Sequence, residues 1–250
     1  MFDINTAIGH WPFRRLPRRT AGELRQYLQS YGVKGAAVAS TPALFYMNSQ
    51  DANLELAEEI APHRDFFVGV ATLNPGYAAA VRDLDTCVEK LGFRALRLSP
   101  CYHNYNLADG TADALLTRAG ELGIPVLLPN EIVNFRQKHW MEPNQPLGME
   151  SVLAICARFP QVTFIGTEGG YNLSMTAPPN LCLEMSRYYS CYGQALADMV
   201  RKLGSEQILF GSGAPFKEIE PSLLKLHHCQ IPDAQKELIA GGNARRLLGL

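Results

Sequence analysis

Eight short apolar runs recur along the chain, and most of them are separated by stretches with the spacing of an amphipathic helix. A run of small and β-branched residues, such as 35–39, is typical of a strand that is buried on both faces. In the stretches between the runs, apolar side chains recur at helical intervals, as Val81, Leu84 and Val88 do. The runs cover residues 2–8, 35–39, 66–72, 95–98, 125–128, 163–166, 181–185 and 208–210.

This alternation requires parallel strands, because each helix carries the chain back across the sheet. Eight such units predict an α/β fold, a (β/α)8 TIM barrel, and the 250 residues match the usual size of one barrel. The Pro-rich stretch after the sixth run, 169–180, predicts a weak or absent helix there. An open doubly wound sheet is the alternative, but no G-x-G-x-x-G follows the first run. Without a linker or an internal repeat, we expect residues 1–250 to form a single domain.

The charge balance excludes some classes of partner. Lys and Arg number 23 against 24 Asp and Glu, so nothing favours nucleic acid or an anionic membrane. No apolar run approaches the roughly 20 residues of a spanning helix. The start at Met1 lacks the basic and apolar regions of a signal peptide. The six scattered cysteines contain no C-x-x-C pair, which predicts reduced thiols in a cytoplasmic protein.

Four segments carry a resemblance to a known family: Phe2-Asp3-Ile4-Asn5, Leu91 to Leu98, Ile208 to Phe216 and Gly242-Asn243-Ala244-Arg245-Arg246-Leu247-Leu248. Together they resemble the amidohydrolase superfamily, and within it the amidohydrolase-2 group of barrel hydrolases and decarboxylases. The third and fourth segments are fairly specific in combination, and the resemblance covers essentially the whole chain.

The resemblance implies a divalent metal at the mouth of the barrel, by which we mean the carboxyl ends of its strands. The family's usual ligands are an H-x-H pair on strand one, a His after strand five, a His after strand six and an Asp after strand eight. The matching positions here are Asn5 and Ala7, Pro129 or Asn130, Thr167, and Gly213. Methyl, pyrrolidine and glycine cannot bind a zinc-like ion, and neutral amide or hydroxyl oxygens bind it weakly. We therefore expect no metal cofactor at the inherited site.

Polar side chains nevertheless gather at the predicted mouth, where barrel active sites lie. Arg187 and Tyr188, which follow strand seven, are among these polar residues. A relocated metal site is an alternative, although its candidate ligands lack the close spacing of a metal-binding motif. Those candidates are His10, His103, His139, Glu131 and Glu168. The candidate catalytic residues are Asp3, His10, Arg97, His103 and Glu168. The candidate substrate-binding residues are Asn5, Arg14, Asn130, Arg136, His139 and Ser212.

Each candidate also has a purely structural interpretation. Arg97 must pair either with an internal carboxylate, such as Glu168 or Asp3, or with a bound anion. His10 could simply pack beside Trp11 and Pro12 in a structural role. His103 could equally be a surface residue without a role in catalysis. Cys101 with His103 forms a nucleophile–base pair only by proximity in sequence.

Three functions remain open from the sequence. The first is a metal-independent hydrolase or lyase acting on a small, anionic, carboxylated metabolite, with Arg97 and Arg14 holding the anion. In it a His would transfer protons, and Glu168 or Asp3 would orient that His or act as base. The second is a pseudoenzyme that binds a small molecule or protein, and the third is a hydrolase with a relocated metal. A mouth filled by bulky apolar side chains favours the second, and an open pocket with unpaired Arg97 favours ligand binding. Homo-oligomerisation, and whether 130–147 is a lid or an interface, are left open.

Overall fold

The eight apolar runs form one sheet of eight parallel strands whose order follows the chain, which confirms the (β/α)8 barrel. The computed structural model describes residues 1–143, 145–169, 177–187 and 194–250. The strands are β1 Asp3–Ile8, β2 Ala36–Ser40, β3 Phe67–Thr72, β4 Ala95–Arg97, β5 Val126–Pro129, β6 Phe164–Thr167, β7 Leu181–Glu184 and β8 Ile208–Leu209.

The barrel closes between its last and first strands. Strand β8 has only two residues, but the chain beyond it stays beside β1. The Ile4 N–H donates to the Phe210 carbonyl over 3.1 Å, and the Ala7 N–H donates to the Ala214 carbonyl over 2.9 Å. In return the Gly213 N–H donates to the Asn5 carbonyl over 3.0 Å. The Gly/Ser/Pro turn after β8 is thus fixed directly against the strand that carries Asp3 and Asn5.

Helices cover the outside of the barrel, and Thr20 and Glu23 form a capping box at the start of the first helix. A π-helical turn, Leu238–Gly242, separates the last two helices, and a short helix follows β4. The weak helix expected after β6 falls largely on residues 170–176, outside the described residues. The helices are α1 Ala21–Ser30, α2 Ser49–Ile60, α3 Ala80–Asp85, α4 Pro100–His103, α5 Asp113–Glu121, α6 Met149–Arg158, α7 Ala195–Leu203, α8 Glu220–His228, α9 Asp233–Glu237 and α10 Asn243–Leu248.

The core has an outer layer between strands and helices and an inner layer inside the barrel. Inner side chains include Val70, Ile165 and Cys182, all buried. Because side chains alternate along a strand, the next inward position toward the mouth lies two residues further on. On β6 and β7 those positions are Thr167 and Glu184, so the apolar filling gives way to a polar layer at the mouth.

Two further observations concern the described residues alone. None of their helices has both the length and the apolar character that a membrane crossing requires. Their cysteines, at positions 87, 101, 156, 182 and 229, are free thiols, and Cys191 lies outside the described residues.

The cap of α1 is a measurable contribution to stability. The Glu23 N–H donates to Thr20 Oγ1 over 3.3 Å, and Thr20→Ala leaves that first-turn amide without its partner. We expect the free energy of unfolding in urea to fall by about 1 kcal/mol. Thr117→Ala, the same change at an exposed position inside α5, is the control and should be neutral or slightly stabilising. Equal losses in the two variants would contradict the capping role.

Candidate functional site

Two buried carboxylates from neighbouring strands meet at the mouth. Glu184 ends β7 and points inward, and Glu168 directly follows β6. The Asn5 Nδ2 amide lies between them, donating to Glu168 over 2.9 Å and to Glu184 over 3.3 Å. The Glu168 N–H also donates to Glu184 over 3.3 Å, so one network joins β1, β6 and β7. We call Asn5, Glu168 and Glu184 the carboxylate network.

Glu168 has a backbone conformation that reveals how firmly it is held. Its φ is +48°, in the left-handed region that non-glycine residues seldom adopt. Its carboxylate accepts from Thr167 Oγ1 over 2.5 Å and lies 3.8 Å from the guanidinium of Arg97. Such backbone outliers concentrate at functional sites, because only surrounding contacts maintain them. The sequence left two kinds of partner open for Arg97, an internal carboxylate or a bound anion. In the structure Arg97 lies beside an internal carboxylate, that of Glu168.

Glu184 is enclosed more completely than Glu168. Its carboxylate accepts from the Ser186 N–H and, over 2.9 Å, from Ser186 Oγ. Burial raises the pKa of Glu184, and the nearby Glu168 adds to this, while Lys217 opposes it. A Cβ at Gly211 would lie 2.5 Å from Glu184 Cγ, so a glycine is needed there for the carboxylate to occupy this place. Glu184 is therefore a carboxyl group that holds a proton more readily than a carboxyl in water.

Lys217 brings a second positive charge to the same end of the barrel. Its Nζ donates to Ser186 Oγ over 3.1 Å, and through Ser186 it is linked to Glu184. Burial lowers the pKa of Lys217 to about 8, although Glu184 acts in the opposite direction. The amine is thus partly unprotonated near neutral pH.

Asp3 lies behind the carboxylate network, where β1 meets the turn after β8. Its Oδ1 accepts from the backbone N–H groups of Asn5, over 3.0 Å, and Ser212, over 3.1 Å. Its side chain is fully buried, and this burial raises its pKa to about 7. Asp3 therefore positions Asn5 and the strand-eight turn and titrates near neutral pH.

Several buried polar atoms at the mouth have no partner among the described residues. They come from the ends of β3 and β4, from the segments just after β1 and β4, and from Asp3. Buried polar groups in proteins are nearly always hydrogen-bonded, so such a set indicates bound water or a ligand. The atoms are Trp11 Nε1, Thr72 Oγ1, Arg97 Nε, Ser99 Oγ and Asp3 Oδ2.

Aromatic rings from the loops after β1, β2, β4 and β8 lie over one side of the mouth. Trp11 is at their centre, with 1% of its surface exposed, and the ring centroids of its neighbours lie 4.8 to 5.8 Å away. All pack edge to face, as aromatic pairs prefer. We call Trp11, Phe13, Phe45, Tyr102 and Phe216 the aromatic cover. Bulky apolar side chains thus occupy this side of the mouth. The segments after β6 and β7 include residues 170–176 and 188–193, which lie outside the described residues.

Five of the sequence-predicted site residues come together at this end of the barrel. Asn5, Glu168 and Arg97 are linked by direct contacts, and Asp3 and Ser212 support them from behind. Ser212 Oγ accepts from the Ala214 N–H over 3.0 Å, which stabilises the turn.

The three predicted histidines lie apart from the carboxylate network. His10 is exposed, and its backbone carbonyl accepts from Thr41. A ring nitrogen of His103 lies 3.3 Å from the Ala43 carbonyl, and burial lowers the pKa of His103. His139 stacks on Phe13 of the aromatic cover, with ring centroids 5.5 Å apart.

The remaining predicted residues also have local roles. Arg14 lies 3.4 Å from the Gln137 side-chain oxygen, and Arg136 is exposed. Asn130 Oδ1 accepts from the Gly148 N–H over 3.0 Å, which ties the end of the 130–147 loop to β5. Cys101 Sγ donates to the Gln145 carbonyl, and burial raises the pKa of this thiol, so no thiolate is favoured there. Tyr188 lies outside the described residues.

Sequence reasoning missed Glu184, Lys217 and Ser186. Glu184 carried a signal, because an ionisable residue follows Leu181-Cys182-Leu183 inside an apolar run. Lys217 carried none, because it comes four residues after Gly213 and ordinary surface lysines have the same appearance.

The residues at the inherited metal positions do not fit a divalent ion. The Asn5 amide nitrogen donates to both carboxylates, and Thr167 donates to Glu168. A neutral amide and a neutral hydroxyl are weak ligands for a zinc-like ion. A Cβ on Gly213 would lie 3.1 Å from Lys217 Cδ, so the stem of a cationic side chain runs past the strand-eight position. Within the described ranges, no three His, Cys, Asp or Glu residues are grouped as metal ligands.

The sequence matches the amidohydrolase family Amidohydro_2 over residues 8–250, and the chain belongs to this family. This confirms the resemblance found in the sequence.

Three relatives illustrate what the chain is similar to. It is 22% identical to a 2-amino-3-carboxymuconate-6-semialdehyde decarboxylase of Dictyostelium discoideum, over 85% of this chain and 72% of the relative. A 5-carboxyvanillate decarboxylase of Sphingomonas paucimobilis superposes with a TM-score of 0.78 at 16% identity, over 100% of this chain and 98% of that one. A dihydroxybenzoic acid decarboxylase of Polaromonas sp. JS666, with bound manganese and the inhibitor 2-nitroresorcinol, gives 0.77 at 18% identity, over 100% and 96%. At these identities the two structures establish the shared fold.

The titration of Asp3 makes stability depend on pH. The folded protein binds a proton at Asp3 up to about pH 7, whereas an unfolded Asp releases it near 3.8. Between these values the folded state holds the extra proton, so stability is highest at the acid end and falls as pH rises, by at most about 1.4 kcal/mol per pH unit. In Asp3→Asn the amide oxygen can still accept both backbone N–H groups, and this fall should disappear. Urea unfolding from pH 4 to 8 measures it, and equal slopes in both proteins would refute the assignment.

Proposed function

We propose that this protein is a metal-independent enzyme of decarboxylase type that acts on a small carboxylated metabolite. The observation that carries the proposal is the buried meeting of two carboxylates with two cationic side chains at the barrel mouth. Burying an isolated charge destabilises a protein by several kcal/mol. Apolar residues of similar volume would make a purely structural core at least as stable. Perturbed ionisable groups gathered at a barrel mouth are typical of an active site.

Arg97 is the proposed anchor for the substrate carboxylate. It is 4% exposed, its Nε has no partner among the described residues, and it lies 3.8 Å from Glu168. A guanidinium offers a planar fork of donors that matches a carboxylate. Trp11 Nε1 and Ser99 Oγ, which have no partner among the described residues, are further donors for the same ligand.

Glu184 is the proposed proton donor. Replacing a carbon–carboxylate bond with a carbon–hydrogen bond consumes one proton, and a carboxyl with a raised pKa is able to supply it. We assign proton transfer to Glu184 rather than to His10 or His103, because both histidines lie apart from the carboxylate network. Arg14, Asn130, Arg136 and His139 stay predictions as substrate-binding residues.

The family relationship supports an enzyme acting on a carboxylated compound, and the decarboxylase relatives favour lyase over hydrolase chemistry. Manganese in one related structure argues for a metal, whereas the donor set of this chain argues against one at the same place. We also retain, as proposals, a single domain over 1–250, a cytoplasmic location and an anionic small molecule as ligand.

A catalytically inactive binding protein is the second candidate. The aromatic cover fills one side of the mouth, and a mouth filled by bulky apolar side chains is the feature that favours a pseudoenzyme. The covered mouth and the carboxylate network therefore favour different functions, and turnover distinguishes them.

Metal content tests the first element of the proposal. We expect elemental analysis of the purified protein to find less than about 0.1 equivalent of metal after dialysis, with or without prior incubation with zinc or manganese. The physical reason is that Asn5, Thr167 and Gly213 supply no anionic or imidazole ligand. A stoichiometric ion that survives dialysis would overturn metal independence.

Release of labelled CO2 tests the reaction type. Small carboxylates are first screened for those that raise the melting temperature of the protein. Each of these is then incubated with the protein in a form whose carboxyl group is labelled with 13C. We expect wild type to release label, and Glu184→Gln to bind the same compounds but release label at least a hundredfold more slowly. Glu150→Gln, an exposed substitution in the first turn of α6, is the matched control and should behave as wild type. Binding without release in wild type would establish the binding protein instead.

A further inference from the structure

Lys217 is a lysine held beside carboxylates without being neutralised by one. It follows the turn after β8, and its Nζ donates to the hydroxyl of Ser186 over 3.1 Å. No carboxylate forms an ion pair with it among the described residues, although Glu184 is one hydrogen bond away through Ser186. Lys217 is half-buried, and a buried cation usually contacts an anion directly. Among the described residues the amine instead donates to a neutral hydroxyl, that of Ser186.

The local chain leaves room for this amine. Gly213 has a φ of +74°, and a Cβ there would approach Lys217 Cδ to 3.1 Å and Ser186 Oγ to 3.7 Å. A larger residue at 213, such as the aspartate that the family resemblance implies there, would require the lysine stem to shift. The glycine and the lysine therefore belong together as one local arrangement.

The charges around Lys217 act in both directions. Burial and the cations Arg187 and Lys225 disfavour its protonated form, while Glu184 and Glu168 favour it. Burial is the largest of these effects, and the pKa falls to about 8. A desolvated lysine near other cations is a nucleophile toward carbonyl carbons, because its unprotonated fraction is substantial near neutral pH.

We propose that Lys217 is the nucleophile of an imine mechanism, in which its ε-amine condenses with the ketone of a small 3-oxo carboxylate that is then decarboxylated. This inference rests on the proposed function and names its substrate class. It requires no metal, because the iminium nitrogen accepts the electrons that a metal-bound oxygen would otherwise stabilise.

The steps balance without a further reactant. The Lys217 amine adds to the ketone carbon, and the ketone oxygen takes up a proton from solvent and leaves as water, which gives a protonated imine. The final hydrolysis returns that proton. The bond to the carboxylate then breaks, its electron pair moves to the iminium nitrogen, and CO2 leaves an enamine. Glu184 gives a proton to the enamine carbon, and water hydrolyses the imine to release the ketone and the amine. The net reaction consumes one proton and releases CO2.

Reductive trapping tests the nucleophile directly. Full-length protein is incubated with acetoacetate and sodium cyanoborohydride, and its seven lysines are followed by peptide mass spectrometry. We expect Lys217 to be alkylated at least tenfold faster than each other lysine, with a rate that rises with pH around a midpoint near 8. Acetone, which has the ketone but no carboxylate, should label Lys217 at least tenfold more slowly than acetoacetate. The comparison lysines are Lys34, Lys90, Lys138, Lys202, Lys225 and Lys236.

The variants Lys217→Arg and Glu184→Gln separate this inference from the proposed function. Lys217→Arg keeps the positive charge but has no nucleophilic amine, so label release should fall at least a hundredfold while carboxylate binding remains. Labelling of Lys217 at the rate of exposed lysines, or label release retained in Lys217→Arg, would overturn the imine mechanism. If wild type still released CO2 in a Glu184-dependent manner, the proposed function would stand without it. Absence of both selective trapping and CO2 release would refute both.

Discussion

The contact on which the mouth of this barrel depends is the amide of Asn5 between the carboxylates of Glu168 and Glu184. Two carboxylates this close in a buried place repel each other unless donors or a proton come between them. The amide, the Ser186 groups and the Arg97 guanidinium supply the donors, and the raised pKa of Glu184 favours the proton.

Neighbouring backbone features follow from the same contact. Glu168 adopts a left-handed conformation in which its N–H reaches Glu184. Residue 211 must be a glycine, because a Cβ there would overlap the Glu184 side chain. Asp3 fixes the Asn5 backbone through the same Oδ1 that holds Ser212, so the barrel closure between β1 and β8 and the position of the bridging amide are coupled.

The fold was predictable from the sequence, because strand and helix periodicity is local and each of the eight runs lies within a residue or two of its strand. The site was predictable only where a family position identified the residue, as at Asn5, or where a charge had to be buried, as at Arg97. Lys217 was missed because the side chain folds back past Gly213, which no spacing rule describes. His10 and His103 were chosen for their chemistry and their nearness in sequence to strand ends. Loop direction after the strand then decides whether such a side chain faces the mouth, and periodicity does not report that direction.

The carboxylates at this end of the barrel lie beside cationic side chains. Arg97 and Lys217 accompany Glu168 and Glu184, so side chains supply both signs of charge there. The aromatic cover limits water on one side, which strengthens every charge interaction beneath it. A metal ion in such a place stabilises negative charge without exchanging protons. A lysine with a lowered pKa can instead lose its proton and form a bond, which is the role that we propose for Lys217 beside Gly213.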